Sequence, residues 1–178
     1  GYFDFKGSSR ISFEDGLKIY KSDFNDFYKK LNLDDNTFLG VENLFPNSDG
    51  TNDSFLCTFD EIQNFFSSPE IKSTKLCLLI DLGHLAISSN LLKFDRMEFI
   101  EKCIESFGDR IFEIHISNND EFKDLHNRIT ENSWQLEALK YFKNTGMLNG
   151  GTVFTYESRG LTIDQIVKDI DLINSKVN

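Results

Sequence analysis

The sequence predicts an α/β fold built on a parallel sheet. Three observations carry this. Short apolar, β-prone runs alternate with amphipathic helical stretches along the chain. The clearest run, Leu76-Cys-Leu-Leu-Ile80, is apolar at every position, as a strand is when helices cover both faces of its sheet. Capping boxes stand ahead of the first, second and last helical stretches, at Ser12-Phe-Glu-Asp15, Thr58-Phe-Asp-Glu61 and Thr162-Ile-Asp-Gln165.

The elements follow in order. After Ser12, the residues Phe13, Leu17, Tyr20, Phe24, Phe27 and Leu31 recur at spacings of three and four, the apolar stripe of a helix. Asp34-Asp-Asn36 is a turn, and Thr37 to Val41 reads as a short buried strand ended by Glu42-Asn43. A polar loop over 47–53 leads to Thr58 and a helix through about Phe66, with Pro69 beyond it. The strand from Lys75 to Ile80 runs straight into Asp81-Leu-Gly-His84. Asp95 caps a helix containing Met97, Phe99, Ile100, Cys103, Ile104 and Phe107, and Gly108 ends it. Ile111 to Ile116 is a strand that breaks into Ser117-Asn-Asn-Asp120. Ser133 is expected to cap a helix that stops near Gly146. Thr152 to Tyr156 is a strand ended by Glu157, and Thr162 opens a last helix through roughly Asn174. The order is α-β-α-β-α-β-α-β-α, with right-handed crossovers and no linker marking a second domain, so residues 1–178 read as one domain.

Composition narrows the function. The 178 residues are 39% hydrophobic and 27% charged, enough for one sizeable and, with 18 Phe, aromatic core. The net charge of −10 argues against a grip on nucleic-acid phosphates, which calls for a basic face. Cys57, Cys77 and Cys103 are odd in number and lack motif spacing, which points to a reducing compartment and a cytoplasmic location. No run approaches the ~18 apolar residues of a membrane helix.

The chemistry gathers at strand ends. Each of the four strands gives out at a carboxylate or an imidazole: Glu42, Asp81 with His84, His115, and Glu157. Parallel strands present these ends on one face, as in a (β/α)₈ barrel, so the side chains should converge. Nine residues after His115 come Asp124 and His126, spaced i, i+2, which in an extended segment puts both on one side. All three histidines of the chain are thus committed here. Imidazole with carboxylate is a divalent-metal donor set, and His with three carboxylates suits Mn²⁺, Mg²⁺, Co²⁺ or Zn²⁺.

Val41-Glu-Asn43, Ile80-Asp-Leu-Gly-His84, Ile114-His-Ile-Ser-Asn-Asn-Asp120, Asp124-Leu-His126 and Tyr156-Glu157 together resemble the second half of the xylose isomerase-like TIM barrels. That superfamily holds sugar isomerases, sugar-phosphate isomerase/epimerases and endonuclease IV-type repair enzymes. The resemblance implies a (β/α)₈ fold of which about the C-terminal half is present, four βα units preceded by one helix. By the same resemblance Glu42, Asp81, His115 and Glu157 hold a divalent metal. His84 meets substrate in the isomerase branch, or a second metal in the endonuclease branch, where Asp124 and His126 also ligate. The Gly-rich turn common in the family after Asp-x-His is replaced here by Asn127 to Asn132.

The resemblance implies an isomerase or epimerase acting on a small carbohydrate or sugar phosphate through a metal-stabilised enediolate, with Glu42 and Glu157 exchanging the proton. Arg159 is a candidate contact to an anionic substrate group. The alternatives are a zinc phosphodiesterase acting on abasic DNA and a catalytically degenerate barrel fragment. An open half-barrel exposes two sheet edges, so the chain is expected to be a fragment, to pair with a missing N-terminal half, or to form a homo-oligomer.

Overall fold

The computed structural model describes residues 12–49, 54–71, 75–147 and 151–177. Residues 50–53 of the expected polar loop, and the first residues of the chain, lie outside them. The helices are α1 (Phe13–Lys30), α2 (Phe59–Phe66), α3 (Leu82–Leu92), α4 (Arg96–Phe107), α5 (Gln135–Asn144) and α6 (Ile163–Val177). The strands are β1 (Leu39–Glu42), β2 (Leu76–Asp81), β3 (Ile111–Ile116) and β4 (Val153–Tyr156). All four pair in parallel in the order β1-β2-β3-β4. Among the described residues no helix is long and apolar enough to cross a membrane.

The capping boxes act as their sequences imply. The Asp15 amide donates to Ser12 Oγ at 3.1 Å, and the Ser12 hydroxyl donates to the Asp15 carboxylate. The Glu61 amide donates to Thr58 Oγ1 at 3.3 Å, while the Glu61 carboxylate reaches back to the Cys57 amide at 2.9 Å. Thr162 and Gln165 exchange both bonds. Each cap satisfies amides that the first helical turn would leave bare.

Four expectations change. The sequence places no helix between Asp81 and Asp95, but Leu82–Leu92 is the helix α3. Its residues 82 to 89 are all buried, so it has no polar face and no stripe to read. Gly108 ends α4 without a left-handed turn; its φ is −44°, and the chain runs on into a short 3₁₀ turn at Gly108–Arg110. Ser133 does not cap α5. Its hydroxyl faces back to accept from the Thr130 amide at 2.8 Å and from Asn118 at 3.2 Å, and the helix starts after Trp134. Finally, β1 is not a buried strand: only Val41 in it is buried, and Gly40 is exposed.

The core lies between the sheet and its helices. Ile80 and Ile114 are fully covered on the helix side of β2 and β3, against Leu82, Leu85 and Ile100. Phe65 of α2 meets Phe24 of α1 edge-on at 5.2 Å between ring centres and Phe66 at 5.4 Å, the aromatic packing that the Phe count foreshadows. Cys57, Cys77 and Cys103 are buried free thiols, and burial raises the pKa of each.

The other sheet face carries the chemistry. A bulge fixes its phase: Leu78 pairs with Ile111 but Leu79 pairs with Glu113, so Phe112 is the extra residue. Beyond it Glu113 and His115 share the face of Leu79 and Asp81, and His115 pairs with both Asp81 and Thr155. That face also bears Phe38 and Phe112, stacked at 5.5 Å and both exposed, and the exposed Val153.

Candidate metal centre

The site is built from the ends of the strands. Asn43, buried at the end of β1, clamps Asp81 at the end of β2. The Asp81 amide donates to Asn43 Oδ1 at 2.7 Å, and Asn43 Nδ2 donates to the Asp81 carbonyl at 3.2 Å. Asp81 is 1% exposed, and its two oxygens have separate duties. Oδ1 caps α3 by accepting from the His84 amide at 2.8 Å. Oδ2 is buried with no hydrogen-bond partner. Two residues on, Gly83 lets the turn approach the end of β3: a β-carbon there would collide with the Ser117 hydroxyl. The Gly83 carbonyl accepts from Asn119 Nδ2 at 2.7 Å, tying the start of α3 to the loop after β3.

His115 faces the cluster through Nδ1, which is also buried and without a hydrogen-bond partner. It stands 3.4 Å from Glu157 Oε1, 3.7 Å from Asp81 Oδ2 and 3.8 Å from Glu42 Oε1. Glu42, Asp81 and His115 each offer a ligand atom within 4.8 Å of the others. His84 lies beside them, with Nδ1 3.0 Å from the Asn43 carbonyl and 3.3 Å from Glu42 Oε1. Phe45 packs on its ring at 4.8 Å.

A second lobe joins the first. His126 Nε2 is 2.8 Å from Asp124 Oδ2, and His126 Nδ1 is 3.6 Å from Glu157 Oε2. Asp124 Oδ2 is 4.0 Å from His84 Nε2 and 3.6 Å from Arg159 Nη2, and Asp124 Oδ1 is buried without a partner. The pair does not meet through extended backbone as expected. His126 is left-handed at φ 50°, which folds its ring back onto Asp124. All eight candidate residues therefore lie in one connected patch, with Arg159 at its rim and 68% exposed.

The electrostatics follow from crowding. Burial opposes a charge on His84, but Glu42 and Asp81 outweigh it and carry its pKa up to about 9. Asp81 first, then Glu157 and Glu42, raise His115 to about 9 against its own burial. Burial would raise the Asp81 carboxyl, yet His115 and His84 hold it below the usual range. The converging carboxylates thus favour the charged form of both imidazoles.

A divalent cation fits the same place. Ligand atoms ~2.0–2.2 Å from a shared ion stand roughly 3–3.7 Å apart, close to the separations around His115 Nδ1. The buried Asp81 Oδ2 and His115 Nδ1 lack partners of their own, and an ion would satisfy both.

Neither a protein-family model nor a curated protein matches the chain. Solved structures do. A D-tagatose 3-epimerase-like protein superposes with a TM-score of 0.64 at 21% identity, over 92% of this chain and 54% of its own. A candidate xylose isomerase from Rhodospirillum rubrum superposes with a TM-score of 0.58 at 16% identity, over 92% and 53%. The four βα units thus have the fold of part of a TIM barrel. The chain spans about half the length of these structures.

Three contributors escaped the sequence reading as functional residues. Asn43 and Gly83 stand inside motifs where only their neighbours carry chemistry. Glu113 was passed over as a strand residue, although its i, i+2 spacing from His115 places both on one face.

Proposed function

We propose that this chain carries the divalent-metal centre of a sugar or sugar-phosphate isomerase or epimerase, with Glu42, Asp81, His115 and Glu157 as the ligands. The observation that carries the reading is the pair Asp81 Oδ2 and His115 Nδ1, buried, unpartnered and 3.7 Å apart, with a carboxylate on either flank. Both superposing structures are described as epimerase- or isomerase-like proteins, which supports the substrate class.

A bound divalent ion supplies Lewis-acid polarisation of adjacent substrate oxygens. The chain's own residues do the rest. Glu42 and Glu157 come from opposite ends of the sheet, and both reach the His115 edge. One takes the carbon-bound proton and the other returns it from the opposite side. His84, gripped by Glu42 and the Asn43 carbonyl, points Nε2 away from them and toward Asp124, where it donates to a substrate hydroxyl. Arg159 at the rim suits a phosphate or carboxylate on the substrate.

The test is exchange of a carbon-bound proton with deuterated solvent, using ketoses and their phosphates with the full-length protein loaded with Mn²⁺, Co²⁺, Mg²⁺ or Zn²⁺. Metal-dependent exchange that Glu42→Gln and Glu157→Gln abolish supports the reading. Metal binding with no exchange on any sugar, together with cleavage of abasic DNA, replaces it with the second reading. That second reading, a zinc phosphodiesterase, is favoured by one observation: Asp124 and His126 form a further donor pair, and Asp124 Oδ1 is buried and unpartnered beside His84.

A further inference from the structure

We propose that Glu113 is the positioning residue of this metal centre, holding the His115 ring so that Nδ1 faces the carboxylates. The inference rests on the metal-centre reading above and adds a residue to it.

Three observations converge. The two nitrogens of His115 have different surroundings: Nδ1 points into the cluster of Glu42, Asp81 and Glu157, while Nε2 lies 3.2 Å from Glu113 Oε1. Glu113 and His115 are i, i+2 on β3 beyond its bulge, so one face of one rigid strand carries both. From β4, the Thr155 hydroxyl donates to the same Glu113 Oε1. Thr155 is the registered partner of His115, so the strand pairing itself sets this contact.

The chemistry gives the arrangement a purpose. An imidazole that ligates through Nδ1 carries its proton on Nε2, and that proton needs an acceptor. A carboxylate there selects the tautomer, stops the ring turning about its Cβ–Cγ bond, and makes the ligating nitrogen more basic. Glu113 cannot be one more ligand of the same ion by way of this contact, since it engages the nitrogen on the other side of the ring. Nor is it a core residue: its side chain is 29% exposed and lies on the sheet face away from the helices.

The experiment measures metal affinity of the full-length protein by competition with a chromophoric chelator, using Zn²⁺ and Mn²⁺. Glu113→Ala is expected to weaken binding by about 10–100-fold, the usual effect of removing such a partner. Glu113→Gln keeps an oxygen that accepts from Nε2–H and should recover most of that loss. Thr155→Val, which frees the Glu113 carboxylate, should fall between the parent and Glu113→Ala. In the Zn²⁺-loaded protein the His115 Nε2–H should be visible by ¹⁵N-detected NMR in the parent and in Glu113→Gln, and lost to solvent exchange in Glu113→Ala. If Glu113→Ala does not fold, Glu113→Gln and Thr155→Val decide through the same two readouts. Equal affinity in the parent and Glu113→Ala, or a Gln variant no better than the Ala variant, overturns the proposal while leaving the metal centre standing. A parent that binds neither ion overturns both.

Discussion

Asp81 Oδ2 and His115 Nδ1 face each other across 3.7 Å from adjacent strands, each buried and neither hydrogen-bonded. Unpartnered buried polar atoms are costly, and here two of opposite character point at one spot. The first prediction separates this role of Asp81 from its helix cap. Asp81→Asn keeps an oxygen for the His84 amide but loses a ligand charge, so divalent-metal affinity should fall by at least about a hundredfold with the fold retained. Asp81→Ala should add a loss of about 1 kcal/mol of stability from the cap. Chelator competition and urea unfolding read the two effects apart. An Asn variant that binds metal like the parent would contradict the ligand assignment.

The second prediction decides between the enzyme classes. His84 sits between Glu42 and Asp124, with Nδ1 committed to the first lobe and Nε2 toward the second. In an isomerase, His84→Ala should cut turnover by about 10²-fold or more and leave the metal count unchanged. In a zinc phosphodiesterase it should strip one ion, because His84 and Asp124 would share it. Elemental analysis beside a turnover assay of the full-length variant gives the answer. Loss of neither turnover nor metal would remove His84 from the site.

What could be read from the chain depended on whether a residue's signal was local. The strands β2 and β3 were legible because their apolar runs are dense, and their ends because carboxylate or imidazole follows directly. The helix α3 was hidden, because burial on every side leaves no period to detect. The proximity of Asp124 and His126 was legible but its cause was not: no side chain announces a left-handed φ of 50° at a histidine. Ser133 looked like a helix cap because serine is a good one, yet its hydroxyl bonds to Thr130 and Asn118, a choice set by the folding of the 117–134 loop. That Glu113 shares a face with His115 was legible from their i, i+2 spacing, but that this face is the one bearing Asp81 depends on the bulge at Leu78/Leu79, which only the strand pairing reveals.

The third prediction concerns the uncovered surfaces. Phe38, Phe112 and Val153 expose apolar area on the sheet face opposite the helices. On α6, Ile163, Val167 and Ile170 expose more at spacings of four and three, a stripe that none of the described residues covers. Such contiguous area favours association. The 178-residue chain alone should therefore self-associate as its concentration rises. Replacing Ile163, Val167 and Ile170 together by Lys should weaken that association without unfolding α6. Light scattering checks both, and a monomer at high concentration would contradict the prediction.

The last prediction is a pH dependence away from the metal centre. Asp169 of α6 is 2% exposed, accepts from Arg128 Nε at 3.0 and 3.1 Å, and takes the Tyr156 hydroxyl at 2.6 Å. This network docks α6 on the end of β4 and on the loop that carries His126. Burial pushes the Asp169 carboxyl up, but Arg128 and Tyr156 prevail and hold it below the usual carboxylate range; burial and then Asp169 push the Tyr156 phenol up to about 12. A depressed carboxyl contributes stability that is present above its unfolded value of about 3.9 and fades as pH falls through its lower folded value. Stability of the parent should therefore drop on acidification below about pH 4. Asp169→Asn should lose about 1–3 kcal/mol at pH 7, because Arg128 keeps a partner but not a charged one. The gap between variant and parent should narrow as the pH falls and the parent's own carboxyl takes up its proton. Urea midpoints at pH 7 and pH 3 measure this, and a gap that stays constant across that range would show that the Asp169 charge does not hold α6 in place.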